Sequence, residues 1–207
     1  MIREVNVMEE QSKPNINICG EKVALGPIRR DMLPLYERWM NDFEVTRGIG
    51  RVGPFTVEQE QDWYEYASKA KDSVTFNIYE LGPEESETYL RPIGTAGLMS
   101  IDHRHGEAEF GIMLGEKSAW GKGYGTEVAR LMLDYGFNVL GLHNIWLRVL
   151  SFNEYAVRAY ERAGFRMAGR LREQHKLGNR RYDDIYMDCL ATEFEGNVIK
   201  KYLPQDK

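Results

Sequence analysis

The sequence has few cysteines, no long apolar run and no excess of basic residues. Its two cysteines, Cys19 and Cys189, lie far apart and lack the spacing of a metal site, so neither a disulfide framework nor a zinc site is predicted. No apolar run approaches the ~18 residues that a membrane-spanning helix needs. With 27 basic and 32 acidic residues the net charge is −5, which disfavours a sequence-independent nucleic-acid binder.

The chain length favours one domain with short appendages. The 207 residues are enough to bury a substantial core. We expect an N-terminal leader over residues 1–19, a single domain over residues 20–195 and a C-terminal tail over residues 196–207. The polar N-terminus has no signal-peptide core, so a cytoplasmic location is expected, with no membrane partner. The acidic balance suits a cationic substrate or serves solubility alone.

Hydrophobic periodicity changes along the chain from helical to strand-like and back. Helical spacing over residues 31–39 and a capping box formed by Thr56 and Gln59 predict two early helices. Three strands joined by turns follow as an antiparallel meander, at residues 74–79, 93–101 and 107–114. After a further helix come a strand at residues 145–150, a short helix and a hairpin turned at Gly178. This irregular order predicts an α/β (α+β) fold with a mixed sheet.

Three closely spaced glycines lie between a strand-like run and a helix-like run. Gly121, Gly123 and Gly125 allow left-handed backbone and a close approach of ligand to main chain. The free N–H groups at the start of a helix favour an anion, so the pattern predicts a phosphate cradle. The spacing does not match the Walker loop. Thr126 stands where the dinucleotide fingerprint has its third glycine, which disfavours a Rossmann interpretation.

Two motifs resemble those of a known family. Trp120-x-x-Gly123-x-Gly125 resembles the acetyl-CoA signature of the GNAT family of N-acetyltransferases, Gln/Arg-x-x-Gly-x-Gly/Ala, with Trp120 as its atypical residue. The stretch from Asn153 to Phe165 resembles the later motif Asn-x-x-Ala-x-x-x-Tyr-x-x-x-Gly-Phe. The sequence of the final hairpin resembles that of one branch of the family, which contains ribosomal-protein N-terminal acetyltransferases and spermidine acetyltransferases. The resemblance spans about residues 20–195.

The resemblance implies a mostly antiparallel sheet of about seven strands, flanked by helices and splayed at a cofactor cleft. It implies direct transfer of an acetyl group from acetyl-CoA to a primary amine, without a metal or a covalent intermediate. The loop residues expected to bind the cofactor are Trp120, Gly121, Lys122, Gly123, Tyr124, Gly125 and Thr126. The family also implies cofactor contacts from Asn153, which the sequence predicts as a helix N-cap, and from a bulged strand that includes Ile112, Met113 and Leu114.

The resemblance and the strand pattern together suggest catalytic residues. Tyr160 matches the family's general acid near the sulfur, although a packing role is the alternative because it shares a helix face with Ala156. A main-chain N–H near Met113 or Leu114 is expected to bind the thioester oxygen. Strand alternation puts Glu109 and Glu107 opposite an apolar stripe. We expect Glu109 first, and Glu107 second, to accept the amine proton, with plain surface carboxylates as the alternative.

Acceptor recognition is expected in the N-terminal helices and the glycine-rich loop over residues 41–54. The candidate substrate-binding residues are Trp39, Asp42, Glu44 and Glu109. The acidic residues Glu84, Glu85 and Glu87, in an expected hairpin loop over residues 82–91, would steer a polycation or be merely solvated.

Several acceptors and one different class of function stay open. A protein N-terminus is preferred over a polyamine such as spermidine or an amino-bearing antibiotic. The rival class is a non-catalytic acyl-CoA-binding module, which would not need Tyr160. A small-molecule or peptide amine is thus the expected partner, no nucleic acid is expected, and a homodimer stays open.

Overall fold

One sheet organises the part of the chain that the computed structural model describes, namely residues 13–50, 53–83, 89–196 and 198–203. Its strands are β1 (Ile18–Cys19), β2 (Val23–Pro27), β3 (Val74–Leu81), β4 (Leu90–Asp102), β5 (Glu107–Leu114), β6 (Asn144–Leu150), β7 (Arg166–Leu177) and β8 (Arg180–Leu190). Their spatial order is β1-β2-β3-β4-β5-β6-β8-β7. The β5–β6 pair is parallel and the other pairs are antiparallel. The predicted fold class is confirmed, and β1 adds an eighth strand.

Helices cover both faces of the sheet. They are α1 (Leu33–Met40), α2 (Phe43–Thr46), α3 (Val57–Ala67), α4 (Tyr124–Asn138) and α5 (Glu154–Ala163). The predicted capping box is confirmed, because Gln59 N–H donates to Thr56 Oγ1 at 3.3 Å and Thr56 N–H donates to Gln59 Oε1 at 3.0 Å. The expected loop over residues 41–54 contains α2, which begins where Asp42 accepts the Glu44 N–H at 2.9 Å. The sequence predicts a loop here because glycines follow α2 closely.

Neighbouring residues on β3 show which helices cover which face. The Phe76 ring packs on Tyr135 of α4 with 5.4 Å between ring centroids. Asn77, whose side chain points to the opposite face, accepts the Tyr36 O–H of α1 at 2.6 Å. The main hydrophobic core lies under α4 and α5, and α1 and α3 cover the other face.

The strands β5 and β6 separate partway along their length. Parallel pairing joins residues 107–109 to residues 144–146 and then stops, although β5 continues to Leu114 and β6 to Leu150. The opening beyond Glu109 is called here the β5–β6 wedge. It confirms the predicted splay of the sheet.

The structure corrects one expectation about β5. Opposite Ile112, Met113 and Leu114 the register of β5 with β4 is regular, so the implied bulge is not there. The irregularity lies between Met99 and Asp102 of β4, where Ser100 has a φ of 51°. β5 therefore stays in register with β4 while β6 turns away to follow β8.

Both predicted appendages have residues that pack on the domain. Ile18 and Cys19 form β1, and a 3-10 helix at Ile199–Tyr202 lies against α4. Residues 1–12, 197 and 204–207 lie outside the described residues. Within the described ranges, no helix is both long and apolar enough to cross a membrane.

Asp134 anchors the C-terminal segment, and its removal is expected to destabilise the fold. The carboxylate is 1 % exposed and accepts Asn138 Nδ2–H at 2.6 Å and Ile199 N–H at 2.9 Å. Asp134→Ala leaves a buried N–H unpaired, so the free energy of unfolding should fall by about 2 kcal/mol in urea denaturation. The control Asp62→Ala, at an exposed position of α3, should change it by less than about 0.5 kcal/mol. Equal effects would contradict the anchor.

Candidate active site

The glycine loop joins β5 to α4 in a left-handed backbone conformation. Gly121 has a φ of 74° and Gly123 a φ of 86°, which side chains other than glycine rarely adopt. A Cβ added at either residue would meet no protein atom within 4 Å, so the loop faces open space. The predicted turn from strand to helix is therefore present, with its backbone exposed on one side.

The loop presents a row of free backbone donors. Helix α4 makes its first backbone bond when Glu127 N–H donates to Gly123 O at 3.2 Å. Across the described chain, the N–H groups of residues 121–126 have no protein acceptor. Free N–H groups at the positive end of a 15-residue helix suit a diphosphate. These residues thus fit the pyrophosphate of a coenzyme A ligand.

Trp120 closes the loop onto β5. Its indole Nε1–H donates to Leu114 O at 2.9 Å, and the side chain is 40 % exposed. Because the indole N–H is its single polar group, this side chain braces the loop against the end of the strand. The backbone of the loop therefore has to supply the anion contacts.

Glu80 of β3 forms hydrogen bonds with several polar side chains beside the loop. The Tyr124 O–H donates to Glu80 Oε1 at 2.5 Å and Lys122 Nζ to the same oxygen at 3.1 Å. Arg91 Nε donates to Glu80 Oε2 at 2.8 Å and its Nη1 to Ser118 Oγ at 3.1 Å. Sequence reasoning missed Glu80, because no motif links β3 to the loop. Glu84, Glu85 and Glu87, expected to steer an acceptor, lie outside the described residues.

The Glu80 cluster predicts an acid-sensitive contribution to stability. The Tyr124 hydroxyl, aided by Arg91 and Lys122, holds the pKa of Glu80 at about 2, below its ordinary 4.5. A lowered folded-state pKa stabilises the protein above about pH 4.5, and this stabilisation is lost as the pH falls towards 2. The melting-temperature gap between wild type and Glu80→Gln should therefore shrink on acidification. A gap independent of pH would contradict this, and Glu161→Gln, at an exposed position, is the control.

Backbone alternation turns part of β5 towards the wedge. Gly115 N–H donates to Ile93 O of β4 at 2.9 Å. The backbone N–H groups of a strand point alternately to its two neighbours, so those of Met113 and Gly111 also face β4. The N–H groups of Ile112 and Leu114 then point to the open side. The structure thus favours Leu114 over Met113 as an oxygen-binding N–H, because the Met113 N–H faces β4.

Tyr160 lies on α5 beside the wedge. Its ring packs against Phe110 at 6.1 Å and Phe165 at 5.9 Å between centroids. Burial raises the pKa of Tyr160 to about 12, so the hydroxyl stays protonated at neutral pH. The hydroxyl has no partner in the described ranges and is not sealed from solvent. Thr126 Oγ1–H donates to Ala159 O at 3.3 Å, which fixes this helix to the glycine loop.

Asn153 caps α5, as the sequence predicts. Its Oδ1 accepts the Ala156 N–H at 3.3 Å. A Cβ added to Gly48 would lie 3.2 Å from Asn153 Nδ2, so this amide approaches the 3-10 helix Arg47–Ile49. No acceptor for Nδ2 occurs among the residues that the structure describes, which leaves the amide able to donate to a ligand.

The two candidate bases differ in burial. Glu109 is half-buried at the vertex of the wedge, paired in register with Met99 and Trp146. Glu107 is exposed and lies one alternation further from the opening. Both lie on the face covered elsewhere by α1, opposite Phe110. Glu109 is therefore the better placed of the two.

The acceptor-side candidates contact the connection after β5. Trp39 is 2 % exposed and its Nε1–H donates to Glu116 Oε1 at 2.9 Å. Lys117 Nζ forms ion pairs with Asp42 at 2.8 Å and Glu44 at 2.7 Å. The structure thus buries Trp39 in packing, because no edge of the indole is free for an acceptor. Asp42 and Glu44 stay near solvent and share the single ammonium of Lys117.

An aromatic and charged group on β6 and β8 was missed by sequence reasoning. Trp146 packs on Tyr186 with 6.2 Å between centroids. Arg148 Nη1 donates to Asp184 Oδ2 at 2.9 Å. By alternation these side chains share the face of Glu109. The pattern of β6 alone, Ile-Trp-Leu-Arg-Val, could have indicated this face, but the pairing with β8 could not be read from it.

A family comparison agrees with this geometry. The family model described as an acetyltransferase (GNAT) domain matches residues 22–166, more than half of the chain. Within the described residues, no group of three or more His, Cys, Asp or Glu side chains could hold a metal ion.

Relatives with assigned names include acetyltransferases of two kinds. The chain is 31% identical over 164 residues to alpha/beta-tubulin-N-acetyltransferase 9 of Homo sapiens, covering 73% of this chain and 75% of that protein. It is 36% identical over 97 residues to spermidine N(1)-acetyltransferase of Escherichia coli (strain K12), covering 47% and 51%. The fold is similar to spermidine N-acetyltransferase from Vibrio cholerae in complex with CoA and spermine, with TM-score 0.75, 24% identity and coverage of 84% and 98%.

Proposed function

Since the chain belongs to the GNAT acetyltransferase family and is an N-acetyltransferase that uses acetyl-CoA, we propose that its acceptor is the free N-terminus of a protein. The observation that carries this proposal is the charge on the acceptor face. Asp42 and Glu44 both pair with the Lys117 ammonium, and Asp184 pairs with the Arg148 guanidinium, which borders the wedge. A polyamine would need several spaced and unpaired carboxylates there.

The glycine loop and the wedge hold the acetyl donor in this proposal. Acetyl-CoA supplies the acyl thioester. The N–H groups of residues 121–126 bind its pyrophosphate, with Trp120 bracing the loop. The Asn153 amide and the free N–H groups of Ile112 and Leu114 bind the remainder of the donor along the wedge. Met113 contributes packing, because its N–H faces β4.

Glu109 accepts the proton of the acceptor ammonium. An ammonium has a pKa near ~10, so at neutral pH it must lose a proton before the nitrogen can attack. The half-buried Glu109 carboxylate at the vertex attracts the cation and takes the proton directly or through water. The Leu114 N–H stabilises negative charge that develops on the carbonyl oxygen. Glu107, exposed and further away, serves as the second candidate base.

Tyr160 assists departure of the sulfur by donating a hydrogen bond. A thiol has a pKa of ~8.5, so a hydroxyl with a pKa of about 12 transfers its proton to the thiolate unfavourably. Donation without full transfer still lowers the energy of the developing thiolate. The effect expected of Tyr160 is therefore substantial but not absolute.

A polyamine acceptor is the second candidate, because one relative is named a spermidine N(1)-acetyltransferase. The half-buried Glu109 and Asp188 could bind one ammonium group each. The cation of Arg148, two residues beyond Trp146, would oppose a third charge along the same face.

Thiol release with an amine panel separates these functions. The panel contains a peptide with a free N-terminus, the same peptide N-terminally blocked, spermidine and an aminoglycoside. We expect release with the free peptide, none with the blocked one, and a kcat/KM for spermidine lower by about 10-fold. Preference for spermidine or the aminoglycoside would overturn the proposal. Tight CoA binding without release for any amine would identify a non-catalytic binding module.

A further inference from the structure

Arg148 lies on the acceptor face just beyond the vertex of the wedge. Trp146 pairs with Glu109 in the parallel ladder, and Arg148 follows two residues later on the same face. Two residues of strand span about 7 Å. At this level β5 has separated from β6, so the Arg148 side chain borders the opening on that side and β8 on the other.

One nitrogen of the Arg148 guanidinium is hydrogen-bonded, and the side chain is partly exposed. The side chain is 43 % exposed, and Nη1 donates to Asp184 Oδ2. Asp184 is 1 % exposed on β8, held in register with Leu150 and Leu171. A guanidinium has five N–H donors in a planar fork, so donors remain for a ligand. Asp184 is thus a positioning residue, since a buried carboxylate keeps its cation in place.

Two further basic residues lie on or against a segment that contacts β6. The 3-10 helix Arg47–Ile49 contacts β6, and the Arg47 side chain is exposed. A Cβ added to Gly50 would lie 2.7 Å from His175 Cε1, which places that imidazole against the same segment. Asp184 bonds Arg148 itself, and two other carboxylates of this face lie towards the vertex, where Glu109 pairs in register with Trp146 and Asp188 is 3.5 Å from the Asn144 amide.

The face therefore separates its charges in a way that suits a dipolar acceptor. An ammonium fits beside Glu109 and an anion beside Arg148. Planar guanidinium forks bind carboxylates through two parallel hydrogen bonds. Because Arg148 lies about 7 Å along β6 from Trp146, the residue paired with Glu109, the ammonium and carboxylate of such an acceptor would be separated by a similar distance. An acidic side chain in the first two residues of a peptide has this chemistry, and so does a free acidic amino acid.

We propose that Arg148, positioned by Asp184, binds a carboxylate of the acceptor and makes the enzyme prefer amines with an acidic group next to the nitrogen. This inference rests on the proposed function and names the substrate class of the same site. An Arg148 that only neutralised Asp184 would not discriminate between acceptors. The proposed role therefore differs from a purely structural ion pair in predicting a preference for acidic acceptors.

The test compares acceptors that differ in one charge. Two peptides are identical except for Glu or Gln at the second residue, and free glutamate is a third acceptor. The Glu peptide should have a kcat/KM about 10-fold above that of the Gln peptide. In the double variant Arg148→Met/Asp184→Asn, which removes both charges of the pair, this ratio should fall to about 1. Should that variant fail to fold, Arg148→Lys, which keeps the charge but not the fork, should reduce the ratio.

The matched control is a second arginine that forms an ion pair. Arg158→Met removes an arginine of similar exposure, paired with Glu154 on α5, and should leave the ratio unchanged. A wild-type ratio near one, or one that survives in the double variant, overturns the inference while the peptide acceptor stands. Preference for free glutamate supports the role of Arg148 and overturns the protein N-terminus. Acetylation of spermidine alone overturns both.

Discussion

Gly123→Val lowers kcat/KM for acetyl-CoA by about 100-fold while the protein stays folded. A β-branched side chain at a φ of 86° is strained by about 1–2 kcal/mol, and relief of that strain turns the loop N–H groups away from the phosphates. Loss of one hydrogen bond to a charged group costs about 1.5–3 kcal/mol. The sum, roughly 2.5–5 kcal/mol, corresponds to about 100-fold or more. Initial rates over a range of acetyl-CoA concentrations measure the effect.

The matched control for Gly123 lies at the other end of α4. Gly141 has a φ of 67°, and an added Cβ there would also meet no atom within 4 Å. Gly141→Val should therefore reproduce the loss of melting temperature without changing the KM for acetyl-CoA. Equal kinetic effects of the two variants would show that backbone strain, and not lost phosphate binding, causes the defect.

Tyr160→Phe should reduce kcat by about 10-fold or more and leave the KM for acetyl-CoA nearly unchanged. The hydroxyl acts on the leaving sulfur in the proposed mechanism, so its loss affects the transition state more than binding. The ring contacts with Phe110 and Phe165 are retained in the variant, and the hydroxyl has no partner in the described ranges. The melting temperature should therefore change little.

Tyr135→Phe is the control for this substitution. Tyr135 lies on α4, packs against Phe76, and has a pKa raised by burial, as Tyr160 has. The same chemical change there should leave kcat at the wild-type value. An unchanged kcat for Tyr160→Phe would remove Tyr160 from the mechanism and support the packing role that its helix face also suggests.

Much of the fold was predictable because local signals agreed with tertiary structure. The meander, the capping box at Thr56 and the hairpin turned at Gly178 each follow from spacing and turn chemistry. Helix α2 was missed, since Gly48 and Gly50 dominate the pattern after it. The implied bulge was wrong because register depends on the pairing of distant strands.

The site was predictable where a motif carries it and not where pairing creates it. The glycine loop is recognisable in the sequence from Gly121 and Gly123, and both residues have positive φ values in the structure. The contacts of Glu80 with Tyr124 and of Arg148 with Asp184 join residues 44 and 36 positions apart. No sequence period connects such residues, because strand order alone brings them together.

The central claim is transfer of an acetyl group from acetyl-CoA to the α-amine of a peptide. Incubation of the protein with acetyl-CoA labelled with carbon-13 in the acetyl group, followed by mass spectrometry of fragmented peptide, tests it directly. We predict one labelled acetyl group on the N-terminal nitrogen, formed in step with thiol release, and far less product with Gly123→Val. Unmodified peptide in the presence of tightly bound CoA, or label on spermidine alone in a mixed reaction, would contradict the account.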